Sequence, residues 1–316
     1  MKKWFMVFVG LGLWTAQLFS LEDDFPKIKP TGFAKVRYTV DTTAGKKDGF
    51  TIAQARFGAK GDISKDVAFS FSLEGTNTDI DNNKALYDAY MDIKSIPYFN
   101  VRAGQFKYKL SLENVIPDAD LELINKSNVV SNLVNPTRDI GIEISKSLSV
   151  KTLKSDLSVA VVNGSGSNCS DDNDNKAVIG RISLSPIKGL SFGGSIYDGA
   201  TSANTITKDR FGLETKYELK KLLCKAEYLY GKDGSIKKEG YYATAGYEIL
   251  PKTVFLTRYD VWDSSLKVVG NKASRWTFGL NYSLDKNILL RNNYERKMES
   301  SSIKNDLIMS ELQVKF

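Results

Sequence analysis

The chain contains no histidine in 316 residues and only two cysteines, Cys169 and Cys224. Without an imidazole, neither a Ser-His hydrolase triad nor a His-ligated zinc site can be assembled. Two cysteines, one in a polar stretch and one in a strand-like stretch, do not make a disulfide framework. Beyond its first residues the chain also lacks any apolar run approaching the roughly 20 residues that a membrane helix needs. These absences exclude a helical membrane protein and remove the commonest enzymatic readings.

The start has the layout of a signal peptide: Met1-Lys2-Lys3, an apolar run from Trp4 to Ala16, then small and polar residues to Ser20. The expected organisation is a signal peptide over 1–20 and a single barrel domain over 21–316. Removing Lys2 and Lys3 leaves 42 basic against 37 acidic residues, a net charge of +5. The clustered Lys/Arg stretches with interleaved aromatics that mark nucleic-acid binding are missing, so the modest excess suits a cationic interior.

Apolar and polar residues alternate with period two in almost every structured segment, which predicts an all-β chain. Ala34, Val36, Tyr38 and Val40 alternate with Lys35, Arg37 and Thr39, and Val67, Phe69, Phe71 and Leu73 with Ser70, Ser72 and Glu74. The same reading gives strands at 33–40, 53–60, 67–74, 86–93, 100–106, 138–145, 156–163, 176–184, 190–197, 210–219, 222–230, 241–249, 254–262, 275–284, 288–297 and 307–316. Sixteen is an even count, as bacterial single-chain membrane barrels require. Short turns alternate with long polar loops, the only misfit being a link over 146–155 that is too long for its class. A soluble sandwich would bury the apolar face and use Greek-key connections. The expected fold is therefore a transmembrane antiparallel β-barrel of about 16 strands.

The last segment supports this, since Ile308, Leu312, Val314 and Phe316 share one face while Met309, Glu311, Gln313 and Lys315 share the other. It is similar to the terminal strand of outer-membrane barrels, whose closing aromatic the barrel-assembly machinery reads; Phe316 is the expected assembly signal. Aromatics near strand ends, among them Tyr38, Phe50, Tyr98 and Trp276, fit interface girdles.

In lipid the apolar set must face outward, so the other set faces the lumen. By that parity Lys35, Arg37, Arg56, Lys60, Arg102, Lys107, Arg138, Arg181 and Arg258 are expected to line the pore. Acids such as Glu74, Asp88, Asp92, Asp139, Glu143 and Glu227 lie on the same face. A lumen with both signs of charge is expected to be largely water-filled, because a dry core would need every charge paired.

The runs Gln54-Ala55-Arg56-Phe57-Gly58-Ala59-Lys60-Gly61, Leu86-Tyr87-Asp88-Ala89-Tyr90-Met91-Asp92, Val101-Arg102-Ala103-Gly104-Gln105-Phe106-Lys107 and Arg138-Asp139-Ile140-Gly141-Ile142-Glu143 resemble the phosphate-selective porin O/P family. The resemblance implies a 16-stranded, usually trimeric channel with anion preference set by lumen arginines and lysines and by an inward-folded third loop. Here that loop is 107–137, whose length invites a functional role. Between Leu110 and Val134 it departs from the phosphate-selective pattern in carrying Glu113, Asp118, Asp120 and Glu122 against a single Lys126.

The acidic stretches 79–83 and 170–175 lack the glycine and glutamate positions of a calcium loop, so no metal or other cofactor is assigned. The expected function is passive diffusion of small hydrophilic solutes through the bacterial outer membrane, with mild preference for anions such as phosphate. The expected partners are outer-membrane lipid, small anionic or polar solutes, the assembly machinery and two further copies, with no nucleic acid. The alternative is an occluded barrel acting as an adhesin or receptor through its outer loops.

Overall fold

A computed structural model describes residues 25–76, 85–171, 173–200, 206–299 and 304–316. The stretch 1–20 expected to be a signal peptide, the acidic stretch 79–83 and Asp172 lie outside the described residues. No helix among them is long and apolar enough to cross a membrane.

Sixteen antiparallel strands form one closed barrel in which every strand pairs with its sequence neighbours. They are β1 (Lys27–Asp41), β2 (Gly49–Asp62), β3 (Val67–Glu74), β4 (Leu86–Ile93), β5 (Asn100–Lys107), β6 (Arg138–Val150), β7 (Leu153–Val162) and β8 (Ala177–Ile187). Then follow β9 (Leu190–Ala200), β10 (Thr207–Leu219), β11 (Leu222–Asp233), β12 (Ile236–Leu250), β13 (Thr253–Asp263), β14 (Lys272–Asp285), β15 (Ile288–Met298) and β16 (Leu307–Lys315). The connection between β5 and β6 also carries two short helices, α1 (Leu112–Val115) and α2 (Asn128–Leu133), which strand-period reasoning did not foresee.

Closure leaves no strand at an edge, so each strand's backbone finds hydrogen-bond partners on both sides over its paired register. At the seam β1 pairs with β16, with Arg37 opposite Glu311 and Phe33 opposite Lys315. Beyond the last ladder pair, Gly32 and Phe316 exchange backbone hydrogen bonds of 3.1 and 3.0 Å. A Cβ on Gly32 would sit 2.6 Å from both the Arg56 carbonyl oxygen and the Phe316 ring, so only glycine lets the last residue close the seam.

The parity expected from sequence holds in the wall. Val36, Phe57, Phe71, Leu312 and Val314 are exposed on the outer face, whereas Lys35, Ser72, Glu74, Glu311 and Gln313 are buried inside. Strand lengths differ from expectation. The supposed link over 146–155 is a two-residue turn, because β6 runs on to Val150 and β7 begins at Leu153. Likewise β11 and β12 continue to a turn at 234–235 in place of a loop over 231–239. Past the hydrocarbon band both faces meet water, so the alternation stops while the hydrogen-bond ladder continues.

Candidate functional site

The chain between β5 and β6 leaves the wall at Tyr108, folds into the lumen and returns at Thr137. Its apolar side settles on one half of the barrel. Val129, Val130, Leu133 and Val134 pack in one buried cluster with the inward side chains Ala160, Val162, Ala177, Ile179, Tyr197, Leu229 and Tyr242 from β7, β8, β9, β11 and β12. Three wall glycines receive the loop: a Cβ on Gly231 would lie 2.5 Å from Leu133, on Gly240 2.8 Å from Val129, and on Gly279 2.6 Å from Leu123. The expectation of a largely water-filled lumen is thus corrected, since in this half loop and wall side chains pack together and are buried.

The acids of the loop are each matched to a basic wall residue. Glu113 meets Arg258 at 3.0 Å, Glu122 meets Lys225 at 2.6 Å and Asp120 meets Lys315 at 2.6 Å. Asp118 is a hub, accepting from Arg56 at 3.0 Å, Lys107 at 3.0 Å and the Tyr87 hydroxyl at 2.9 Å, with Lys126 3.8 Å away. Burial alone would push the Asp118 carboxyl up, but Lys107, Arg56 and Lys126 hold it well below the usual carboxylate range. From the wall side, Glu227 accepts from Leu112 N at 2.9 Å and from the Ser111 hydroxyl at 3.0 Å, satisfying donors at the start of α1. The acidic constriction expected from composition is therefore electrostatically spent on the wall.

Opposite the packed half, a cavity of about 380 Å³ lies between the loop and the wall built by β1 to β6 and β16. Arg56, Lys60, Arg102, Lys107, Arg138 and Lys315 line it together with only three acids, Asp88, Asp118 and Asp120. The Tyr87 ring is sandwiched between the Arg56 and Arg138 guanidinium groups, each 3.5 Å from its centroid, and Arg102 lies 4.0 Å from the Tyr90 ring. This stacking holds planar cations at the wall without consuming their charge. Arg102 is also paired with Asp92 at 2.7 Å and Arg138 with Asp88 at 2.9 Å. Lys60 lines the cavity with no ion pair among the described residues.

The other residues proposed from sequence lie elsewhere. Lys35, 3% exposed, donates to Gln54 and to the Asp118 carbonyl oxygen, both at 2.7 Å, and so props the loop. Arg258, 1% exposed, is enclosed by Glu113 and the Asn125 and Lys126 carbonyls. Arg37 is tied to Glu311 at 2.7 Å at the seam, and Arg181 pairs with Glu214 on the far wall. Asn128, at the start of α2, is inside the barrel, where its N–H donates to Asp260 at 3.1 Å. Sequence parity does not single out Tyr90 or Lys315 as members of the cavity, nor Tyr87 as the ring behind Arg56 and Arg138; Lys315 falls on the inward face, but its meeting with Asp120 depends on where the loop lands.

A closed 16-stranded membrane barrel narrowed by an inward-folded loop, with a charged cavity left open beside it, defines a porin, a channel for small solutes in the bacterial outer membrane. Residues 31–197, more than half of the chain, match the family model of phosphate-selective porin O and P. The chain belongs to that family. Among solved structures it is similar to OmpF of Salmonella typhi in complex with daunomycin (TM-score 0.70, 14% identity, 92% of this chain and 97% of that one). It is also similar to the anion-selective porin from Comamonas acidovorans (TM-score 0.64, 16% identity, 92% and 99%) and to a trimer form of OmpT from Vibrio cholerae (TM-score 0.68, 8% identity, 92% and 99%). No curated protein matches the sequence.

Proposed function

We propose that the channel prefers anions and that solutes pass beside the loop through the cavity lined by Arg56, Lys60, Arg102, Lys107, Arg138 and Lys315. The observation that carries this reading is the imbalance there, six bases to three acids, while Glu113 and Glu122 are directed at the opposite wall. A narrow passage through low-dielectric walls focuses such a field, so a small surplus of fixed charge sets ion preference. Lys60 contributes most per residue because no acid offsets it. No catalytic step is assigned to the cavity.

The zero-current potential across a salt gradient in planar bilayers tests the reading. Wild type should be anion-selective, and Lys60→Glu with Arg102→Glu, a swing of four charges, should turn the preference toward cations. A cation-selective wild type, or a variant with unchanged potential, removes the cavity from the permeation path. The packing of the loop against β7 to β12 supports a second reading, an occluded barrel presenting its outer loops, and silence in the bilayer would favour it. The rest of the proposal comprises a signal peptide over 1–20, termini in the periplasm, Phe316 as the cue for the assembly machinery, and a homotrimer, the form in which OmpT of Vibrio cholerae was solved.

A further inference from the structure

We propose that lysines carried by the short turns form a ring that binds anionic phospholipid headgroups of the leaflet at that end of the barrel. All seven connections at the end of the barrel that joins β2 to β3 carry lysine, eight lysines in total against one acid, Asp66. The connections at the opposite end, the inward loop aside, hold six lysines against eight acids. The charge is therefore concentrated at one end and spread around the whole circumference.

Position identifies the partner. Lys151, Lys188, Lys220, Lys221, Lys252 and Lys286 are exposed and make no ion pair among the described residues. Each lies within two residues of an exposed apolar side chain on the outer face, namely Val150, Ile187, Leu222, Leu250 or Leu284. A two-residue turn cannot carry a lysine far from the strand ends, so the ammonium groups sit where hydrocarbon gives way to headgroups, the level to which lysine snorkels. A soluble acidic partner would call for a patch on one side; a continuous ring at headgroup height matches a leaflet.

Backbone cost points the same way. Lys151, Lys220 and Lys252 occupy positive φ angles of 54°, 54° and 65°, positions that hairpin turns normally give to glycine or asparagine. Lysine is used there against local preference. Acids that reach this rim from strand ends are fewer, and two of them are already engaged, Asp62 by Lys94 and Glu218 by Lys216.

The inference needs only a membrane-embedded barrel, not the anion preference, and its test does not read conductance. The full chain is reconstituted in phosphatidylcholine vesicles, and association of spin-labelled phosphatidylglycerol is compared with that of spin-labelled phosphatidylcholine. Wild type should favour phosphatidylglycerol about fivefold, the effect of one lysine near a charged surface. Changing the six lysines to glutamine should bring the ratio close to one, with heat-modifiability confirming that the variant is folded; Lys46→Gln, Lys47→Gln and Lys267→Gln in the outer loops should leave it unchanged. If the sixfold variant does not fold, high salt applied to wild type must abolish the preference. A wild-type ratio of one, or a preference that survives the substitutions or the salt, overturns the proposal. Salt-sensitive binding of polyglutamate to the solubilised barrel without phosphatidylglycerol preference would assign the ring to a carboxylate-bearing partner and likewise overturn it.

Discussion

Asp118 concentrates the loop's attachment in one side chain, because its two oxygens accept from Arg56, Lys107 and Tyr87 at once. Removing one member of an enclosed charge cluster leaves the others uncompensated, at a cost of about 3–5 kcal/mol. Asp118→Asn should therefore loosen the loop without unfolding the wall, giving larger and noisier single-channel currents. Acid should act differently from that substitution. The folded-state pKa of Asp118 is depressed, so its contribution is complete above the ordinary carboxylate pKa of about 4 and is lost only as pH falls below that value toward the depressed one. The difference in single-channel conductance between wild type and Asp118→Asn should therefore persist from neutral pH down to about pH 5.

At the scale of elements, α2 is held by shape more than by charge. Val129 and Leu133 descend into hollows that Gly240 and Gly231 leave in β12 and β11, and the loop cannot settle unless those side chains are absent. Gly231→Val would bring a branched side chain into Leu133, with no wall backbone atom in its way, and overpacking of this kind costs about 1–3 kcal/mol. The barrel should still fold and show heat-modifiable migration, while conductance rises because the loop is displaced from its seat. An unchanged conductance would mean that the segment is anchored by its ion pairs alone.

For the molecule as a whole, closure and orientation are the matters to test. Deleting Phe316 removes the carbonyl and N–H that meet Gly32 and the ring that lies 6.4 Å from Phe57, so the level of folded barrel in the membrane should fall. Gly32→Val should reproduce the defect from the other side of the seam. Orientation can be read from Cys169, which is exposed in the loop between β7 and β8, on the end opposite the short turns. A membrane-impermeant maleimide should label Cys169 in intact cells and should fail to label Lys286→Cys in a Cys169→Ser background; the reverse pattern would invert the topology.

Much of the wall was legible in the primary structure, because lipid on one face and solvent or protein on the other force a period-two alternation that any strand must display. Strand number, the facing of Lys35, Glu74 and Glu311, and the pairing of the final strand with the first all follow from that single constraint. Strand ends were misjudged over 146–155 and 231–239, where both faces meet water and the pattern fades before the ladder does. What the lumen contains was decided only in three dimensions. Arg258 and Lys60 look alike in sequence, each a base at inward parity, yet one is sealed beneath the loop and the other lines the open cavity. The difference lies in contacts between residues more than a hundred positions apart, Glu113 with Arg258 and Glu122 with Lys225, which alternation along a strand does not encode.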